Sequence, residues 1–313
     1  MKDNSLKNKR ILITGINGFV GKALKKRLSS LGAKVFGISK STGGNDKILK
    51  SNILDHEKVD KFIKDSNIQI CFHLASESLV EEGQLNPYET FKVNMEGTLN
   101  ILESARKNKL EKVIIASTSH VYGKNEVPYI ESYMPRPTRP YETSKACTDL
   151  IAQSYAKSFN LSILIPRFVN IYGPGDLHFQ RLIPKTIKSV SEDLSPKMWG
   201  GKAIRDYLFI DDAIDAYLLL AKTEIKKTDE NGVFNFGGNS IISVENLIKK
   251  IINVSGKKIE IKKVDEERKG EIESQYVSFD KATKLLGWKP KVNLDEGLRR
   301  TVDWYFEYLH TKK

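Results

Sequence analysis

A short apolar run, Arg10-Ile11-Leu12-Ile13-Thr14, passes directly into Gly15-Ile16-Asn17-Gly18-Phe19-Val20-Gly21 and then into a stretch with leucines at 24, 28 and 31. The run reads as a buried strand and the leucine spacing as a helix with one apolar face. Gly15 permits the tight turn, Gly18 lets a phosphate approach the backbone, and Gly21 lets helix pack on strand. A pyrophosphate would meet free N–H groups at the helix start. The glycines alone suit any βα turn; the order strand, glycine turn, helix is what points to a dinucleotide.

The alternation continues. Lys34–Ile38 is a second strand, and the loop after it is Ser39-Lys40-Ser41-Thr42, with no acid until Asp46. An acid there would bind the adenosine ribose of NAD, whereas hydroxyls and a lysine suit a 2′-phosphate, so NAD and NADP both stay open. Asn52-Ile53-Leu54-Asp55 reads as a strand end with an acid placed for adenine, or as a helix entry with Asp55 as N-cap. Residues 56–66 read as helix, and Gln69–Ala75 as a strand whose end, with Ala75 and Ser76, would lie beside a cofactor. His73 within it reads as a satisfied core histidine. Tyr88–Lys107 reads as one long amphipathic helix in which Asn94 must find partners and could brace neighbouring loops. Lys112–Ala116 is a fifth strand leading into Ser117-Thr118-Ser119-His120-Val121-Tyr122-Gly123, and Ser162–Phe168 a sixth leading into a Gly/Pro loop. Residues 204–212 read as a strand and a helix start capped by Asp211 or Asp212. Arg205 there is a phosphate clamp or a surface ion-pair partner.

The chemistry-bearing spacing is Tyr141 and Lys145 in Pro140-Tyr141-Glu142-Thr143-Ser144-Lys145. Four residues apart on a helix, the two side chains share a face. An ammonium beside a phenol lowers the phenol pKa from its ordinary value near 10, which suits it to take a proton from an alcohol. Thr118, at a strand end some twenty residues earlier, could hydrogen-bond the same oxygen.

The chain has 313 residues, 40% hydrophobic and 29% charged, and its apolar runs are short. None approaches the ~20 residues of a membrane span, so a cytoplasmic protein without a membrane partner is expected. The net charge of +12 could attract nucleic acid or a phosphorylated substrate, but the lysines are scattered, and no nucleic-acid partner is expected. Cys71 and Cys147 suit a reducing compartment and form no ligand cluster, so no metal is expected.

Taken in order, these segments resemble the extended short-chain dehydrogenase/reductase superfamily, in its nucleotide-sugar epimerase/dehydratase branch, over roughly residues 9–306. The matching motifs are Thr14–Gly21, Thr118, Tyr141 with Lys145, Arg167–Gly175, Arg205-Asp206-Tyr207, Arg268, and Leu286-Gly287-Trp288-Lys289-Pro290. The resemblance implies an α/β fold: a Rossmann-like doubly wound parallel sheet over 1–167, with 193–226 returning to it, and a smaller substrate lobe from 168–192 and 227–313. It implies NAD or NADP, tightly bound by Gly15, Asn17, Gly18, Phe19, Val20, Gly21, Ser39, Lys40, Asn52, Ile53, Leu74, Ala75, Ser76, Asn94, Tyr141, Lys145 and Phe168. A nucleoside-diphosphate sugar would meet Ser119, His120, Asn170, Leu182, Arg205 and Arg268. A homodimer would form through a four-helix bundle of the helices near 88–107 and 144–159.

By the same resemblance, Tyr141 takes the proton of the sugar O4 as hydride leaves C4, Thr118 bonds that oxygen, and Lys145 lowers the tyrosine pKa. A 4-epimerase returns the hydride to the other face of the transient 4-keto sugar; a 4,6-dehydratase eliminates water first; a 4-keto-6-deoxyhexose reductase starts from the ketone. After the strand-end hydroxyl, the dTDP-glucose dehydratase pattern has Asp-Glu, the GDP-mannose pattern Ser-Glu and the CDP-glucose pattern Asp-Lys. This chain has Ser119-His120. The missing glutamate favours the 4-epimerase, while His120 keeps a dehydratase with a histidine base open. A redox-sensing or scaffold protein on the same fold would have no chemical reason to keep Thr118, Tyr141 and Lys145.

Overall fold

The computed structural model describes residues 5–43, 46–224, 232–264 and 272–311. The apolar runs form strands β1 (Arg10–Thr14), β2 (Lys34–Ser39), β3 (Ile48–Lys50), β4 (Ile70–His73), β5 (Lys112–Ile115), β6 (Ser117–Thr118) and β7 (Ile163–Phe168). Between them lie helices α1 (Phe19–Ser30), α2 (His56–Asp65), α3 (Val80–Leu85), α4 (Pro87–Phe91), α5 (Gly97–Lys107) and α6 (Pro140–Phe159). Then come β8 (Asn170–Tyr172), α7 (Leu182–Ser191), β9 (Lys197–Trp199), β10 (Ile204–Arg205), β11 (Tyr207–Phe209), α8 (Ile210–Lys222) and β12 (Val233–Phe236). The chain closes with β13 (Ile242–Ser243), α9 (Val244–Val254), β14 (Lys262–Val264), β15 (Ser274–Gln275), α10 (Asp280–Leu286) and α11 (Leu294–His310).

The main sheet runs β12-β7-β5-β4-β1-β2-β3, with β6 also on β7, and its pairings are parallel. Alternation along each strand divides the core. Ile11, Ile13, Phe72 and Ile114 face one cluster with Leu24 and Leu28 of α1 and Tyr217 of α8. Leu12, Cys71, Val113 and Ile115 face the other, with Val59 of α2, Ile101 of α5 and Ala152 of α6. This is the doubly wound architecture expected. The strand order reverses between β1 and β4, so the crevice for a ligand opens at Gly15 and Ala75.

Several elements differ from the sequence reading. The helix expected over 88–107 starts at Pro87 and is widened by one π-helical turn, Lys92–Glu96, which contains the buried Asn94. Such turns recur at functional sites. Asn52–Asp55 is a turn into α2 rather than a strand end, and Asp55 accepts the Lys58 N–H as N-cap. Neither Asp211 nor Asp212 caps α8, whose N-cap is Phe209. The Asp212 carboxylate instead accepts the N–H groups of Lys291 and Val292, and its carbonyl accepts the Trp288 indole N–H. β12 lies in the main sheet beside β7, so the chain after 227 is not wholly apart from the nucleotide half as the 227–313 boundary expected.

The smaller pieces stack beyond the strand ends. β10 lies between β13 and β15, β8 pairs with β11, and β9 with β14. They wall the cleft opposite the glycine turn.

Candidate active site

A cleft of about 640 Å³ runs from the glycine turn to these small sheets. At its first end Gly15 has φ +67°, and a Cβ there would lie 3.0 Å from the Ala75 nitrogen. A Cβ at Gly21 would lie 2.3 Å from the Gly15 carbonyl oxygen. Two chain segments therefore pass as close as backbone allows. No side chain caps α1 at Gly18, which leaves its N-terminal dipole facing the cleft. Gly15, Gly18, Phe19, Val20, Gly21, Leu74, Ala75, Ser76 and Phe168 all line it. A narrow, side-chain-free helix entry of this kind fits a dinucleotide pyrophosphate.

Behind that wall His73 acts as a latch. The Thr14 hydroxyl and the ring Nδ1 lie 2.8 Å apart, and Nε2 lies 3.1 Å from the Thr98 hydroxyl. The Thr14 oxygen also accepts the N–H groups of Leu74 and Ala75. Burial, helped by the Lys145 charge, pushes the His73 pKa down to about 3, so it stays neutral. Asn94 accepts the Glu77 N–H and donates to the Glu77 carbonyl and the Ser144 hydroxyl. It braces the loop after β4 against α6, as expected, and does not line the cleft.

Thr118, Tyr141 and Lys145 come together on the cleft floor. Thr118 ends β6, while the other two stand one turn apart in the first turns of α6. Pro140 at the first helical position and the Glu142 carboxylate, which accepts the Arg139 N–H, fix where that helix begins. Lys145 donates to the Ala116 carbonyl, and burial lowers its pKa to about 8 against the pull of Asp149. Burial holds the Tyr141 phenol above its ordinary pKa, and the opposing pulls come from the Arg181 charge and the Thr118 hydroxyl, not from Lys145. The lysine ammonium is engaged by the Ala116 carbonyl instead.

Other predicted residues are distributed unevenly. His120, Asn170, Leu182 and Arg205 line the cleft; Asn170 donates to the Asp206 carbonyl and Arg205 to the Ile204 carbonyl. Ser119 is buried and does not line it. Asn17 donates to the hydroxyls of Ser39 and Thr42, so it ties the glycine loop to the end of β2. Ser39, Lys40, Asn52 and Ile53 also stand outside the cleft; Ile53 packs where a Cβ on Gly97 would go. Arg268 lies outside the described residues. Among the described residues no group of three metal-ligating side chains forms, and no helix is long and apolar enough to cross a membrane.

Two cleft residues escaped the sequence reading. Arg181 donates to the buried Asp176 carboxylate at 3.0 Å and to the Ser78 hydroxyl at 3.2 Å, which holds its charge near Tyr141. Glu142 is buried in the cleft wall with a carboxylate oxygen 3.5 Å from the His120 Nδ1. Burial pushes its pKa up, but His120, the Thr138 N–H and Arg139 outweigh that and hold it below the usual value. The sequence signal for both was only a charged residue next to a motif.

The chain is similar in sequence and fold to known proteins. A sequence model described as the NAD dependent epimerase/dehydratase family matches residues 11–237. The human dTDP-D-glucose 4,6-dehydratase is 30% identical over 282 residues, which covers 86% of this chain and 77% of that protein. Among solved structures, a UDP-glucose 4-epimerase with UDP-glucose from Thermotoga maritima superposes with TM-score 0.88 at 28% identity, covering 96% of this chain and 99% of that one. A UDP-glucuronic acid 4-epimerase from Bacillus cereus, in complex with UDP-glucuronic acid and NAD, gives TM-score 0.87 at 27% identity, with the same coverage of 96% and 99%.

Proposed function

The chain belongs to the NAD-dependent epimerase/dehydratase family, and from that premise we propose that it is a nucleotide-sugar 4-epimerase working through a transient 4-keto sugar. The observation that carries this reading is one cleft that joins the glycine turn, the set Thr118, Tyr141 and Lys145, and Asn170 with Arg205. Bound NAD or NADP would supply a hydride acceptor and donor. Gly15 to Gly21, Leu74, Ala75, Ser76 and Phe168 would hold it against the cleft floor.

The phenolate of Tyr141 takes the proton from the sugar O4, and the Thr118 hydroxyl donates to that oxygen as charge develops on it. Because burial raises the phenol pKa, the site needs nearby positive charge. Arg181 supplies part of it. Lys145, on the same cleft floor, would supply more with the dinucleotide bound. Asn170 and Arg205 hold the diphosphate or nucleotide end of the substrate, with guanidinium geometry suited to phosphate. Of the two residues after Thr118, only His120 reaches the cleft. The acid and base pair that elimination ordinarily uses at those two positions is therefore incomplete, which favours epimerisation.

A 4,6-dehydratase is the second reading, favoured by the His120–Glu142 pair. Incubation with UDP-, GDP-, CDP- and dTDP-hexoses, read by mass spectrometry and NMR, separates the two. Epimerisation leaves the mass unchanged, elimination loses one water, and inertness towards the whole panel would sink both. We also infer a homodimer through α4, α5 and α6, where Tyr88, Leu99, Leu150 and Phe159 are exposed apolar side chains. The cofactor that co-purifies, and whether Lys40→Ala weakens NADP but not NAD binding, decides between the two dinucleotides.

A further inference from the structure

His120 Nδ1 is buried and has no hydrogen-bond partner among the described residues, yet it lies 3.5 Å from the Glu142 carboxylate. That contact is long, so it is an approach rather than a full hydrogen bond. The Glu142 carboxylate itself is fixed. Its other oxygen accepts the Thr138 N–H at 3.2 Å, the Thr138 hydroxyl at 3.4 Å and the Arg139 N–H at 3.3 Å. The imidazole edge stands 6.3 Å, centroid to centroid, from the Tyr141 ring and lines the cleft.

We propose that Glu142 is a positioning residue that holds His120 as the Nδ1–H tautomer, so that Nε2 stands in the cleft as a proton acceptor beside Tyr141. A neutral imidazole donates from one nitrogen and accepts at the other, and the partner of the first decides which nitrogen is left to accept. A carboxylate can only accept, so the nitrogen facing it carries the proton. The lowered pKa of Glu142 agrees with an ionised partner. The charged and titratable groups around the pair are Arg139 at the entry to α6, Tyr141 on α6, and Tyr129, whose phenol feels the Glu142 charge. None of these presents a competing acceptor to Nδ1. The rival explanation is that Glu142 only closes the capping box of α6.

Glu142→Gln separates the two. A glutamine keeps the box by accepting the Thr138 and Arg139 N–H groups through its carbonyl. Its NH2 then faces Nδ1 as a donor and reverses the tautomer. The full chain holds five histidines, so 15N-edited NMR of the imidazoles resolves each one. In the wild type the Nδ1–H form of His120 is expected to exceed the Nε2–H form, because only that form turns a proton and not a lone pair towards the carboxylate. In Glu142→Gln the Nε2–H form is expected to dominate, with helix content unchanged.

An Nε2–H tautomer in the wild type overturns the proposal, and so does a tautomer that ignores the substitution. The wild-type spectrum decides the point even should the variant not fold. The nucleotide-sugar reading enters only as the source of the group that Nε2 faces. The Nδ1–H tautomer in a protein inactive on every nucleotide sugar would count against that reading and support this one.

Discussion

Burial holds the phenol of Tyr141 above its ordinary pKa, whereas the proposed reaction uses it as a base. In that proposed role it would draw on positive charge nearby, of which Arg181 already supplies part. Tyr141→Phe removes the hydroxyl and little packing. Turnover of whichever nucleotide sugar the panel identifies should fall by about 10²–10⁴-fold or more, with the thermal midpoint nearly unchanged in calorimetry; full activity would refute the hydride mechanism. His73 gives a pH dependence. Its native pKa, about 3, lies below the unfolded value near 6.5, so between those limits the unfolded chain binds the extra proton. Stability is therefore fully present above pH 6.5 and falls as pH drops towards 3, by up to about 1.4 kcal/mol per pH unit. His73→Gln should flatten that slope in urea titrations. Thr118, Tyr141 and Lys145 were legible because short spacing on a strand end and a helix carries them. Arg181 and Glu142 were not, because their roles depend on partners brought close only by folding, Tyr141 and Ser78 for one and His120 for the other.

At the scale of elements, α6 is the axis of the site. Tyr141, Lys145 and Asp149 follow at four-residue intervals and so share a face. Asp149 takes a two-pronged contact from Arg167 on β7, at 2.8 and 3.0 Å, and accepts from the Ser117 hydroxyl. Arg167 also donates to the Tyr122 hydroxyl. Helix and strand are thus pinned by a buried ion pair one turn beyond Lys145. Arg167→Met should cost about 3–5 kcal/mol in chemical denaturation because it strands the Asp149 charge, whereas replacing both partners by apolar residues should cost much less. Lys112 on β5 closes the other layer by donating to the Leu220, Ala221 and Thr223 carbonyls at the end of α8. Lys112→Met leaves those acceptors unpaired and should cost about 1–3 kcal/mol by the same measurement. The strands were readable because burial on both faces of a parallel sheet leaves near-continuous apolar runs. The π-helical turn was not, since one extra residue in a helix leaves the apolar spacing almost intact.

For the whole molecule, the switch between β1 and β4 fixes the position of the site, and the small sheets fix its width. The βα alternation made the first half predictable. The return of β12 was not, because a short strand among loops carries no mark of which sheet it joins. The proposed dimer belongs to this scale as well. Leu150 on α6 is 54% exposed and Phe159 47%, so Leu150→Arg should shift the protein to monomer in analytical ultracentrifugation while the isolated fold persists; a monomeric wild type would remove the four-helix bundle.

The place of β12 has a practical outcome. It covers the outer edge of β7, and its residues 233 to 236 pair with 165 to 168. A fragment cut between β7 and β12 would present β7 as a bare, apolar edge, a template for pairing with other chains. Expression of the dinucleotide-binding half by itself should therefore give insoluble protein, and adding the 233–236 segment in trans as a peptide should recover part of it in solution. The main sheet is sealed by a piece of chain that arrives late.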